Sequence, residues 1–130
     1  MILTAEHFDG FSELLLGWKA TICDSSGEVQ AKWFKPGGRG KAEFTVSFDD
    51  IDIAAIGITL SGMQARYDGG VDDFPHHILQ FTDGTDNISV HLRAGTNWPT
   101  DVQPEVDAFY RIWKPIAKRV ESHPEMPQRR

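Results

Sequence analysis

The 130 residues carry 13 Lys and Arg against 19 Asp and Glu, a formal net charge of −6, with 40% hydrophobic and 25% charged residues. Such a chain fits one domain that buries about two-thirds of its unfolded surface, and it is too apolar for disorder. The negative balance disfavours nucleic acid or an anionic membrane as partner, because phosphate recognition relies on clustered Lys and Arg. A single cysteine, Cys23, excludes an internal disulfide and a multi-cysteine metal framework. The opening "MILTAEHFDG" has neither a basic segment nor a long apolar one, and no apolar run approaches the roughly 20 residues of a membrane span. A cytoplasmic protein is expected.

The first ten residues suggest no more than a short helical turn after Thr4. Residues 13–23, "ELLLGWKATIC", alternate, with Leu14, Leu16, Trp18, Ala20 and Ile22 on one face. "DSSG" (24–27) is turn composition, and 28–34 alternate again through Val29, Ala31 and Trp33. A four-residue loop would set Ile22 against Val29, Ala20 against Ala31 and Trp18 against Trp33, stacking two indoles. "KPGGRGK" (35–41) breaks the chain before "AEFTVSF". Pairing across it would set Trp33 against Phe44, Ala31 against Val46 and Val29 against Phe48.

In "DDIDIAAIGITLSGMQARY" the alternation slips near Ala54–Ala55, which reads as a bulge or helical turn before a strand from Ile56 to Tyr67. "HHILQFT" and "NISVHLRA" form a hairpin. His77, Leu79 and Phe81 then face Leu92, Val90 and Ile88, with His76, Ile78, His91 and Arg93 on the opposite side. Last comes a helix: Thr100 and Gln103 have capping-box spacing, and Val102, Val106, Phe109, Trp113, Ile116 and Val120 make one apolar stripe. Pro115 should kink it. The expected fold is α+β: a single antiparallel sheet of about six strands, connected as a meander, with the C-terminal helix packed on one face. One domain spans 1–122, and 123–130 form a flexible tail.

Chemistry is densest in "YDGGVDDFPHHILQF" (67–81). Adjacent strand residues point to opposite faces, so His76 and His77 cannot share a ligand. His76 and His91, with Asp72 or Asp73 looping over and Tyr67 and Arg93 nearby, form the one sensible acid–base or ligand constellation. Arg93 would repel a cation, so no metal and no cofactor are expected. "GGRGK" fails as a phosphate loop, since Lys35 stands where a Gly is needed and Ala42 where a Ser or Thr is needed. Cys23 lies beside Asp24, which would raise its pKa, so it is not a nucleophile.

The remaining signal is acidic. Asp24 and Glu28, then Asp49, Asp50 and Asp52, then Asp83 and Asp86 lie in turns that a meander places at one end of the sheet. Turn preference accounts for each aspartate singly, but less readily for the net charge. In size, acidity, sheet-plus-helix plan and lack of a catalytic motif, the chain resembles small acidic bacterial toxin-immunity proteins. That resemblance rests on whole-chain properties and not on a motif. It implies a non-enzymatic inhibitor that docks a basic partner, such as a toxin or nuclease, through those seven carboxylates. The competing expectation is a small enzyme or ligand-binding domain built on His76, His91, Tyr67 and Arg93.

Overall fold

The computed structural model describes residues 1–10, 15–35, 38–70 and 75–126. It is α+β: a seven-stranded sheet with two helices. The strands are β1 (Ile2–Phe8), β2 (Leu15–Cys23), β3 (Ser26–Lys35), β4 (Gly38–Ser47), β5 (Arg66–Asp68), β6 (His76–Thr82) and β7 (Asn87–Arg93). The helices are α1 (Ile53–Ser61) and α2 (Gln103–Glu121). Across the sheet the order is β4-β3-β2-β1-β6-β7-β5. Strands β1 to β4 do form a meander. The chain then crosses over through α1 to the far edge, where β5 pairs parallel with β7, so the sheet is mixed and not purely antiparallel.

Two elements differ in kind from expectation. The N-terminus is not a helical turn but β1, paired on both sides, with Leu3, Ala5 and His7 facing inward. Alanine and histidine at two of its three inward positions hide the alternation. The strand expected over Ile56–Tyr67 is mostly α1. Asp52 caps this helix by accepting a hydrogen bond from the Ala55 N–H at 3.1 Å, and Ile53, Gly57 and Leu60 are its buried face. Their spacing of four and three is helical. The isoleucine run masks it, and Ile58, inward in a strand, is left 76% exposed. Gly57 lets the helix lie close on the sheet, for a β-carbon there would fall 2.7 Å from the Phe81 ring.

Hairpin registers kept the expected faces but moved along them. A two-residue β2–β3 turn, with Asp24 at φ +56°, sets Trp18 opposite Ala31 and Leu16 opposite Trp33. That is a shift of two residues, so Trp18 and Trp33 do not face each other. Between β3 and β4 the shift is four: Val29 meets Phe44, and Trp33 lies over Gly40. The glycines explain the slip. Gly27 makes room for the buried Phe48 ring and Gly40 for the Trp33 indole, so each strand slides until a large ring covers a bare backbone. The β6–β7 register is as expected, with His77 opposite Leu92 and Leu79 opposite Val90.

Helix α2 buries Val106, Phe109, Trp113, Ile116 and Val120. Trp113 stacks on Trp18 at 5.3 Å between ring centroids. The capping box does not form: the N-cap is Val102, without a side-chain bond, and Pro104 lies in the first turn, where its missing N–H costs no helical hydrogen bond. The packed chain also runs past the expected boundary at 122. His123 stacks on Phe44 at 4.2 Å and Met126 is buried, while 127–130 lie outside the described residues.

Both helices lie on one side, and the other side of the sheet is open among the described residues. The registers line up Lys41, Lys32, Gly17, Phe8, His76, Arg93 and Asp68 in one row across this open face. The next row holds Glu43, Gln30, Lys19, Glu6, Ile78, His91 and Arg66. Among the described residues no helix is long and apolar enough to cross a membrane.

Candidate functional site

The acidic turns leave one end of the sheet as expected, although by a different path. Ile2 pairs with both Cys23 and Thr82, Ser26 pairs with Ser47, and Thr82 pairs with Asn87. The 24–25, 48–52 and 83–86 connections therefore leave the same end of the sheet, which carries Asp24, Asp49, Asp50, Asp52, Asp83 and Asp86. Glu28 stands one step inside, on the open face opposite Thr21 and Thr45.

Several of these carboxylates also serve the fold. Asp52 caps α1. Asp50 takes an ion pair from Arg119 at 2.5 Å, and that guanidinium holds its carboxyl below the usual range. Asp83 accepts from the N–H groups of Asp86 and Thr85 at 2.7 and 2.9 Å, which lowers its pKa in the same way. Asp50 and Asp83 therefore stay ionised further into acid than an ordinary carboxylate.

On the open face, His76 and His91 do converge. His76 Nδ1 lies 2.9 Å from His91 Nε2, the rings tilted at 52°. A bond between two imidazole nitrogens needs one donor and one acceptor, so one of the two must offer a bare nitrogen. Burial, then Arg66, His76 and Arg93, lowers the pKa of His91. Arg93 sits in the same row as His76, and its guanidinium grips both oxygens of Asp68 at 2.6 to 2.9 Å. Asp68 also accepts the Gly70 N–H at 2.8 Å, the first cause of its lowered pKa. The Arg93 charge is thereby partly neutralised.

Tyr67 does not belong to this group. Its place opposite Leu92 turns it to the helix side, where it is buried; its hydroxyl donates to Glu105 and accepts from the Gln64 N–H at 2.8 Å. Burial and then Glu105 push its pKa up to about 12. β5 is only three residues long and parallel to β7, and this sets Tyr67 on the side opposite to that expected for a strand over Ile56–Tyr67. Asp72 and Asp73 lie outside the described residues.

A second histidine pair went unread. On the helix side, His7 Nδ1 lies 3.2 Å from His77 Nδ1, and His7 Nε2 lies 2.7 Å from Asp9 Oδ1. The other Asp9 oxygen accepts the Leu16 N–H at 2.9 Å. The chain Asp9–His7–His77 is buried among Trp18, Trp113 and Tyr110, with His77 and Trp113 rings 4.4 Å apart. Burial, reinforced by the neighbouring His7, pushes the pKa of His77 down to about 3. His77 is thus neutral at pH 7. His7 and Asp9 sit at alternate positions beside "HH", and recognising β1 as a strand would have exposed the pairing.

Chemically, the inner chain is a closed hydrogen-bonded relay and the outer pair an accessible one. Among the described residues no group of three His, Cys, Asp or Glu side chains is arranged to hold a metal ion. Cys23 is exposed in the turn end of β2. Comparison of the chain with protein-family models, with curated proteins and with solved structures finds no significant match.

Proposed function

We propose that this is a non-enzymatic binding protein that docks a basic protein partner against its acidic end, in the manner of a toxin-immunity protein. One observation carries the reading: three turns distant in sequence bring six aspartates to one end of the sheet. Ionised carboxylates grouped in this way steer a cationic partner and accelerate encounter. The N–H groups that keep Asp83 ionised also fix its position, so its charge is presented by an ordered turn, while the Arg119 pair offsets part of the Asp50 charge.

The product of the neighbouring gene is the first partner to test, by co-purification. Asp49→Lys with Asp86→Lys leaves the cap at Asp52 and the turn at Asp83 in place. Association of that variant should slow about tenfold at low salt and lose much of its salt dependence. Unchanged association at low salt would remove the electrostatic reading.

A small ligand-binding or acid–base site is the second reading, favoured by the 2.9 Å contact between His76 and His91 beside Arg93. Tyr67 is no part of it. Titration of small anions against the imidazole resonances of both histidines tests it.

A further inference from the structure

The formal charge of −6 is a sum, and the fold distributes it unevenly. Two rows of the open face and the Arg39 that follows them carry six cations: Arg39, Lys41, Lys32, Lys19, Arg66 and Arg93. Among the described residues three carboxylates share that band, Glu6, Glu43 and Asp68; the Asp68–Arg93 pair cancels, which leaves five cations against two carboxylates. Two phenylalanines break the polar surface there, Phe8 at 47% and Phe34 at 49% exposed. Arg39 lies over the Phe34 ring, 5.8 Å from its centroid.

Between the rings the surface is hollow. Gly17 stands opposite both Phe8 and Lys32 and contributes no side chain, leaving a cavity of about 400 Å³ lined by Glu6, Phe8, Gly17, Lys19, Gln30 and Lys32. A neighbouring hollow of about 540 Å³ at the β3–β4 edge shares Lys32 and is bounded by Trp33, Phe34, Arg39, Gly40 and Lys41. By strand spacing and rise, Phe8 and Phe34 lie about 12 Å apart, with the cations between and around them.

We propose that this open face binds single-stranded nucleic acid, with Phe8 and Phe34 as stacking platforms and Lys32, Lys19, Lys41 and Arg39 as phosphate contacts. Sequence-tolerant recognition of single strands needs these parts: aromatic faces on an accessible surface, and a cationic track for the backbone. A purely acidic polymer such as polyglutamate would satisfy the cations but offers no flat or apolar group to the two separated rings. A duplex would hide its bases from them. The site is independent of the acidic end, and it reverses the expectation drawn from net charge alone.

The test is fluorescence anisotropy of the intact protein with a fluorescein-labelled oligothymidylate of about 12 nucleotides, a span that covers both rings. Binding should saturate and weaken with salt between about 50 and 200 mM, with a log–log slope of about −3 for four or five phosphates. Phe8→Ala should lower affinity about fivefold or more and leave that slope unchanged, because stacking releases no counterions. Lys19→Glu with Lys32→Glu should weaken binding about tenfold and flatten the slope.

All these positions are exposed, and an unchanged circular-dichroism spectrum confirms the fold of each variant. Absence of binding at the lower salt would overturn the proposal. So would indifference to Phe8→Ala, or equal competition by polyglutamate, either of which would reduce the face to a general polyanion surface. The Asp49→Lys, Asp86→Lys variant should bind the oligonucleotide as well as the parent, so this site and the acidic end fail separately.

Discussion

Two histidine pairs bridge the strands at the same end of the sheet, one on each face, and they live under opposite rules. His7 and His77 meet at 3.2 Å under α2, walled by Trp18 and Trp113 and anchored by Asp9. His76 and His91 meet at 2.9 Å on the open face, among Arg66, Arg93 and Asp68. His76 and His77 are adjacent in the chain, so composition and spacing are the same for both. Water decides the difference: one pair is a structural element of the core, and the other is a surface feature whose proton affinity can respond to a ligand.

If that contrast holds, the largest effect should come from the inner pair. His7→Ala removes the hydrogen bonds at both ring nitrogens and leaves a cavity beside the two indoles. Urea denaturation should show a loss of about 3 kcal/mol, from the cavity and the broken bonds together. A loss below about 1 kcal/mol would mean that the inner relay is as dispensable as a surface pair.

Acid should act through the same place. An unfolded histidine accepts a proton near 6.5, whereas His77 in the fold resists until about 3. Between those values the unfolded chain binds a proton that the folded chain declines, so stability falls as pH drops through that window. At pH 4.5 the loss is about 2–3 kcal/mol relative to neutral pH, at about 1.4 kcal/mol per unit. His77→Gln should flatten this dependence, even if it lowers stability at every pH. Denaturation midpoints that run parallel for the two proteins between pH 6.5 and 4.5 would show that the titrating group lies elsewhere.

How much of this was legible in the sequence depends on which residues carried the pattern. Alternation in β2, β3, β6 and β7 is written in Leu, Ile, Val and Trp, and those faces came out correctly. Registers were less legible, because Gly27 and Gly40 set them through close ring-on-backbone contacts that have no one-dimensional signature. In β1 the inward positions are Leu3, Ala5 and His7, too weak a signal to mark a central strand. In α1 the isoleucines mimic strand alternation, and Asp52 as a cap is indistinguishable in sequence from the acidic turn residues around it. The site followed the same division. His76, His91 and Arg93 were placed together from a reliable hairpin, whereas Tyr67 was misplaced by the unreliable segment and the Asp9–His7–His77 chain was lost with β1.

Tyr67 offers a smaller test between the two faces, since its neighbours Arg66 and Asp68 point outward while it points in. Tyr67→Phe removes a buried hydroxyl that bridges Glu105 and the Gln64 N–H, and should cost about 1 kcal/mol. In alkali its phenol should resist ionisation until about pH 12. The unfolded phenol loses its proton near 10, so stability falls as pH rises between those values. Absorbance of phenolate follows the ionisation: the Tyr67→Phe protein should lose the step near pH 12 and keep only that of Tyr110, whose phenol burial also pushes up.

The smallest effect on stability should come from the outer pair, which nevertheless has a readout of its own. His76→Ala removes a partly exposed ring from an open sheet, and such changes usually stay within about 0.5 kcal/mol. The charged form of His76 is one cause that depresses His91, behind burial and Arg66. Its removal should therefore raise the pKa of His91 toward the ordinary value, visible in the pH dependence of the imidazole carbon-bound proton resonances. The inner variant should change folding free energy by several times more than the outer one, while only the outer one moves a titration that solvent can reach. Equal destabilisation by His7→Ala and His76→Ala would erase the distinction, because it would mean that the open face is covered in solution and both pairs belong to a core.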